Sequence, residues 1–384
     1  MFYDVIIVGA SPSGLIAARY ASEKGLKTLV LEKKPDLSAS DPANTMLNSM
    51  LDKTGISVPE DCITHKLKGT RMYSPSGDFF EMEDPGFFMD RAKFDNYLLE
   101  EVYRNGGEVF FGSEVTSALL KGPKVVGVAS KDRNGLNEIG SNIVISADGF
   151  RSYIPVQLGL HSTEHPLDVA RGVQVDITGA DIDSDFFEFY LGREVAPGWK
   201  AAISPSGEDS ASIAVCIRGK GSPDSYLDKF ISKSIASPKF KDAKASSRIY
   251  GLDTVATIPN QIVSDGFMAV GGSAGESGLA YGMLAGKIAA ETADIAISKG
   301  DYSKNMLSGY EKEWKDRLLR EYKQGRLVLR LFDNMGDDKM NELFGAASDV
   351  SFTGDVASSM MKVLFKNIKL SLSLIPILLK SMEM

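Results

Sequence analysis

The stretch from Tyr3 to Lys34 constrains everything that follows it. Asp4-Val5-Ile6-Ile7-Val8 is apolar without alternation, as in a strand buried on both faces of a parallel sheet. Gly9-Ala10-Ser11-Pro12-Ser13-Gly14 follows at once. A helical pattern then runs through Leu15, Ile16, Ala17, Ala18, Tyr20 and Ala21 until Gly25 stops it. Thr28-Leu29-Val30-Leu31 supplies a second strand that ends in Glu32. Strand, glycine turn, helix, strand and acid in this order form a dinucleotide fingerprint, G-x-G-x-x-G, with Ser11 at the middle glycine. Gly9 permits the tight turn, and Gly14 lets helix and strand pack closely. The free N–H groups at the helix start attract a pyrophosphate, and Glu32 can accept hydrogen bonds from a ribose diol. Ser11 places a Cβ where the phosphate would approach the backbone.

Two later stretches repeat the logic. Ile143-Val144-Ile145-Ser146-Ala147-Asp148-Gly149 is a buried strand ending in an acid and a glycine, before a helix start at Phe150. Phe267-Met268-Ala269-Val270-Gly271-Gly272 is another, and an Ala-rich helix from Leu279 to Ile297 follows it. Between them, Val169 to Ala256 reads as antiparallel: short strands at 173–177, 186–190, 200–203 and 211–217, interrupted by a helix at 225–234. Thr70 to Phe80 reads as a hairpin, Met46 to Leu51 has helical spacing, and Tyr310 to Phe332 reads as a charged, solvated helix.

The 384 residues suffice for two domains, and 43% apolar with 24% charged residues is ordinary for a globular protein. A net charge of −8 argues against nucleic acid as a partner. Cys62 and Cys216 lie far apart, which argues against a disulfide framework or thiolate metal site and for a reducing, cytoplasmic setting. The strand begins by about residue 3, leaving no room for a signal peptide. His161-x-x-x-His165 with Asp168 has helical spacing, but Pro166 spoils it as a ligand set, and no metal is expected.

Together these stretches resemble the FAD-dependent oxidoreductases of the p-hydroxybenzoate hydroxylase class. More closely, they resemble the archaeal geranylgeranyl reductase family. The likeness rests on the opening βαβ unit with Glu32, Arg91-x-x-Phe94-Asp95 at a helix start, and Ala147-Asp148-Gly149. It rests equally on Phe189-Tyr190-Leu191-Gly192, Ala196-Pro197-Gly198, and Val270-Gly271 with its Ala-rich helix. It implies an α/β fold: a Rossmann-like FAD/NAD(P)-binding domain, an inserted antiparallel-sheet substrate domain and a C-terminal helical region. The corresponding segments are 1–65, 90–160 and 257–305 for the first, 66–89 and 161–256 for the second, and 306–384 for the third.

The resemblance further implies reduction of isoprenoid C=C bonds, with electrons from a ferredoxin or a nicotinamide. FAD contacts would come from Gly9, Ala10, Ser11, Pro12, Ser13, Gly14, Glu32, Lys33, Arg91, Asp148, Gly149, Gly271, Gly272, Gly278 and Leu279. Tyr190, Trp199, Lys200, Ala202 and Ser204 would line a substrate cavity over the isoalloxazine, and no catalytic residue stands out.

The sequence departs from the family pattern around the same ligand. Ser11 replaces a glycine, Pro42-Ala43-Asn44 stands where the family has Arg-Cys-Gly, and Gly271-Gly272 stands for Gly-Asp. The loop Gly275-Glu276-Ser277-Gly278 is shortened, and Lys200-Ala201-Ala202-Ile203-Ser204-Pro205 replaces Tyr-x-Trp-x-Phe-Pro. Each lost hydrogen bond to a buried ligand costs about 1–3 kcal/mol. Two alternatives therefore stand beside the reductase: a divergent paralogue with a weakened or lost flavin site that binds lipid or a partner, and a flavin monooxygenase of a small substrate. On this reading, restoring the motif with Ser11→Gly and Gly272→Asp is expected to tighten FAD binding. Finally, apolar residues and lysines crowd positions 360–380. The stretch is too short to span a bilayer but suits the interface at the inner membrane face, or docking against the protein's own helices.

Overall fold

The computed structural model describes residues 1–38, 43–160, 168–255, 257–347, 352–353, 363 and 367–383. The strand Phe2–Val8 sits inside a sheet because Val5, Ile6, Ile7 and Val8 are buried on both faces. It pairs in parallel with Thr28–Leu31 on one side, Val5 opposite Thr28, and with Gly135–Ser146 on the other, Val5 opposite Ile143. Phe267–Ala269 continues the sheet in parallel beyond Gly135–Ser146, and Glu108–Phe110 does so beyond Thr28–Leu31. Gly9 thus stands where connections leave in opposite directions, the switch point at which open α/β sheets bind ligands.

The helix Pro12–Glu23 lies against the helix Leu279–Lys299, and small residues bring the two backbones together. Lys304–Asn334 then seals this layer with Leu307, Tyr310, Trp314 and Leu318, all buried in the same core as the parallel strands. The charged helix is therefore solvated on one face only.

The second sheet runs in the order 244–245, 170–178, 210–217, 200–205, 186–190, 69–73, 79–83 and 352–353, with Ile249–Asp253 also pairing on Ala170–Thr178. Its pairs are antiparallel except where Gly69–Tyr73 meets Phe186–Tyr190 and where residues 352–353 meet Phe79–Glu83. One face packs on the helix Pro223–Lys233 through Leu227 and Phe230.

Two readings shift. Helical spacing at Met46–Leu51 resolves into a strand, Thr45–Leu47, and a short helix, Asn48–Asp52. Gly86–Met89, assigned above to the substrate sheet, instead pairs with Thr45–Leu47 and Ile63–Leu67 in a small separate sheet. The cause is local: the Asn48 N–H donates to Pro85 O at 2.8 Å, and a Cβ on Gly86 would stand 2.4 Å from Met46 O. The C-terminal helix Ile368–Glu383 runs through Pro376, which stands inside it. Leu370 and Leu374 dock it on a core with Phe80, Phe344 and Phe352. No helix among the described residues is long and apolar enough to cross a membrane. His161, His165 and Pro42 lie outside the described residues.

Candidate active site

Three glycine turns meet at the carboxyl ends of adjacent parallel strands. Gly9 has φ +96°, and a Cβ there would stand 2.8 Å from Ala147 O and 2.9 Å from Asp148 Cα. Gly271, at φ +60°, would place a Cβ 2.8 Å from Ser13 Oγ, and Gly272 would place one 3.0 Å from the Phe150 nitrogen. The structure therefore brings Gly9–Gly14, Asp148–Gly149 and Gly271–Gly272 to one place.

Ser11 does not reach outward. It is the N-cap of Pro12–Glu23: its Oγ accepts from the Gly14 N–H at 3.3 Å and donates to Ala147 O at 2.9 Å. Pro12 has no N–H, and among the described residues no protein acceptor meets the N–H of Ser11 or Ser13. Glu32 is held between the Ala10 N–H at 2.7 Å and the Lys34 N–H at 2.8 Å, one on each oxygen, so remaining lone pairs are left for a ligand. Gly149, at φ +84°, has nothing within 4 Å of its would-be Cβ. Helix-start donors without acceptors, an acid fixed on the second strand and open space at the second turn fit a dinucleotide.

Asp148 accepts from Ser146 Oγ at 2.6 Å. Burial raises its pKa, against the pull of that bond, of Ser152 and of the nearby Lys33. Arg91 is buried and turned inward. It pairs with Asp95 at 3.2 Å and donates to Ala43 O at 3.0 Å, which fixes the chain after the 39–42 segment. Gly278, at φ +93°, precedes Leu279 at the start of the long helix. Ser273 Oγ is also inward, donating to Ser146 O at 2.6 Å.

The shortened loop carries its own anchor, which sequence reading passed over. Glu276 Oε2 accepts from the Gly271 N–H at 2.6 Å, and burial holds this carboxyl well above the usual range. Tyr322 clasps the next residue, accepting from Ser277 N at 3.1 Å and donating to Ser277 O at 2.9 Å. Two further bonds tie the loop to the second sheet: Ser277 Oγ donates to Asp253 at 2.6 Å, and Thr254 Oγ1 to Glu276 O at 2.8 Å.

On that sheet, period-two alternation decides which residues face the loop. Lys200 stands opposite Cys216, Ala202 opposite Phe189, and Phe187 opposite Thr70, all on one face. Ser204 belongs to the same face and touches Thr45 through their hydroxyls. Trp199 precedes the strand, its ring 5.0 Å from Lys200 Nζ. Tyr190, read above with these residues, lies on the other face. It pairs with Ala201, stacks on Tyr73 at 4.5 Å and donates to Glu188 at 2.8 Å within the helix-covered core. A residue one step out of phase on a strand points to the opposite face, which removes Tyr190 from the Lys200 group. Cys216, Asp253, Phe187 and Ser277 were missed; the alternation of Ala211–Ile217 and the acid closing Ile249–Asp253 were the available signals.

A switch-point cradle, an acid on the second strand and a separate sheet closing over the third glycine turn define a dinucleotide-dependent oxidoreductase fold. Residues 2–237 match the FAD binding domain family. The chain is 33% identical to a digeranylgeranylglycerophospholipid reductase of Methanosarcina acetivorans, covering 95% of this chain and 93% of the relative. It is 28% identical to the Thermoplasma acidophilum protein of that name, over 94% and 96%. Among solved structures, a geranylgeranyl bacteriochlorophyll reductase-like protein of Thermoplasma acidophilum superposes with a TM-score of 0.88 at 27% identity, covering 98% of this chain and 99% of that one. A flavin-dependent brominase, at 19% identity and a TM-score of 0.71, shares the fold alone. The chain belongs to the FAD-binding domain family and, within it, to the digeranylgeranylglycerophospholipid reductases. It is a flavin-dependent oxidoreductase with FAD as cofactor.

Proposed function

We propose that this protein saturates C=C bonds in the isoprenoid chains of a glycerophospholipid. The observation that supports this most is the Asp253–Ser277 tie, which holds a ring-lined sheet face against the glycine loop of the FAD domain. Phe187, Phe189 and Trp199 offer apolar walls, while Ala202 and Ser204 leave room between them. Gly9, Ser11, Ser13, Glu32, Asp148, Gly149 and the 271–278 loop would hold FAD, which supplies hydride chemistry once reduced. The chain's own part is to hold the alkene on that face, exclude water and provide a proton. The test uses purified, FAD-loaded protein reduced with dithionite and given digeranylgeranylglycerophospholipid. Mass spectrometry should show two hydrogens gained per double bond; a reduced, flavin-bound protein that leaves the lipid mass unchanged sinks the reading. Nicotinamide and reduced ferredoxin replace dithionite in turn, and the donor is the one that supports the same mass gain.

The C-terminal helix supports access to such a lipid. Leu372, Ile375 and Leu379 are 63%, 47% and 56% exposed along one stripe, with Leu370 and Leu374 docked behind them. Their insertion into a headgroup layer would contribute about 1–2 kcal/mol per side chain. Wild-type protein should float with phosphatidylglycerol vesicles, and the triple change of these residues to Ser should leave it in the soluble fraction. Equal behaviour of the two proteins would rule out membrane contact through this helix.

A further inference from the structure

We propose that Lys200 is the acid of the reaction, its ammonium giving a proton to the alkene carbon that does not receive the hydride. The inference rests on the reductase reading above. Saturation breaks one π bond and forms two C–H bonds. Bound FAD, once reduced, would supply one hydrogen with two electrons; the Lys200 N–H bond provides the other as a proton, its electron pair staying on nitrogen. The neutral amine regains a proton from water before the next turnover.

The geometry singles out this side chain. Lys200 Nζ lies 3.8 Å from the centroid of the Phe189 ring, 5.0 Å from that of Trp199 and 5.6 Å from that of Phe187. Ring faces hold a cation without occupying its N–H groups. Among the described residues no hydrogen bond or ion pair engages this ammonium. Two titratable groups bear on it: Cys216, its direct cross-strand partner, and Asp253. Gly172 leaves space for the thiol, since a Cβ there would stand 2.8 Å from Cys216 Sγ. Asp253 is bonded to Ser277, one residue before Gly278 and the long helix, so the ammonium and the flavin loop share a corner.

The electrostatics agree with that placement. Burial lowers the Lys200 pKa, opposed by Cys216 and Asp253, making it a stronger acid than a free lysine. Burial pushes the Cys216 thiol up to about 11, so it stays neutral near pH 7; burial raises the Asp253 carboxyl too, but the Ser277 hydrogen bond and the Lys200 charge oppose that rise, and Asp253 is the charge partner. Asp253 is a positioning residue, its carboxylate keeping the ammonium at this corner. The same carboxylate would repel a lipid phosphate, which disfavours Lys200 as a headgroup anchor.

Competitive acetylation of the flavin-bound protein across pH, read by mass spectrometry, tests this without turnover. The Lys200 midpoint should lie below that of the same residue in the urea-unfolded chain, and Asp253→Asn should lower it further. Lys200→Met should keep the flavin spectrum and KM but lose about a hundredfold in kcat. Lys200→Arg, which keeps the charge but does not release a proton, should not restore it. A Lys200 midpoint at or above that of the unfolded chain, a Lys200→Met enzyme with kcat within about threefold of wild type, or a loss confined to KM overturns the assignment. Those results leave the reductase reading intact as long as wild-type protein saturates the lipid. Wild-type protein that binds FAD and saturates nothing removes the reading and the acid together.

Discussion

Gly286→Ala is expected to unfold the FAD domain or lower its stability by about 3 kcal/mol or more, at the upper end of overpacking costs. A Cβ at Gly286 would stand 2.2 Å from Ser13 O and 3.3 Å from the Ala17 nitrogen, both backbone atoms of the first helix. No rotamer relieves such a contact, so the helices Pro12–Glu23 and Leu279–Lys299 would have to separate. Separation moves Ser13 away from Gly271, and with it two of the turns that form the cradle. Against a typical total of about 5–15 kcal/mol, the variant should show a large fall in Tm and lose bound flavin. Gly309→Ala and Gly325→Ala supply the contrast. Both lie on exposed positions of Lys304–Asn334 with nothing within 4 Å of a Cβ. Each should raise stability by about 0.5–1 kcal/mol, the helix cost of glycine. A Gly286→Ala protein stabilised like the other two would show that helix propensity, not the close approach of two backbones, sets the outcome.

The fold was legible wherever one local pattern carried it. Three apolar runs ending in glycine turns gave the parallel sheet, and alternating short strands gave the second. What the sequence could not carry was direction. Ser11 read as an obstruction because a Cβ at that position points at a phosphate in the general pattern; here its hydroxyl folds back to cap a helix and bind Ala147 O. Tyr190 was placed with Lys200 because nine residues of intervening chain hide the register; pairing with Ala201 settles its face. Glu276 sat in a loop described only as short, and its bond to the Gly271 N–H becomes visible once the turn closes. Asp253 and Lys200 belong to strands separated by a helix, and only the sheet order puts them together. Long-range pairing is the information that periodicity lacks.

The double variant Ser11→Gly with Gly272→Asp, which restores the family motif on paper, is therefore expected to weaken FAD binding rather than tighten it. Replacing Ser11 gives up the Gly14 cap, worth a few tenths of a kcal/mol against glycine, and the tie to Ala147 O, worth about 1 kcal/mol. A side chain at 272 meets a turn with little freedom to move. Its Cβ would stand 3.0 Å from the Phe150 nitrogen and 3.1 Å from Gly149 Cα. That turn is pinned by the Ser152 N–H on Gly149 O at 3.0 Å, by Ser146 on Asp148 at 2.6 Å and by the contact between the Ser146 and Ser152 hydroxyls at 3.0 Å. Pushing it costs about 1–3 kcal/mol and displaces Gly149, the open side of the cradle. A buried carboxylate beside Asp148 adds like-charge repulsion. Since about 1.4 kcal/mol is a factor of ten in affinity, flavin titration of the apoprotein should show at least a tenfold loss for the pair. Gly272→Ala should take a large part of that loss by bulk alone, separating it from charge. Tighter binding by the double variant would mean that the 149–150 turn yields, and that Gly272 is a lost ligand rather than a fitted close approach.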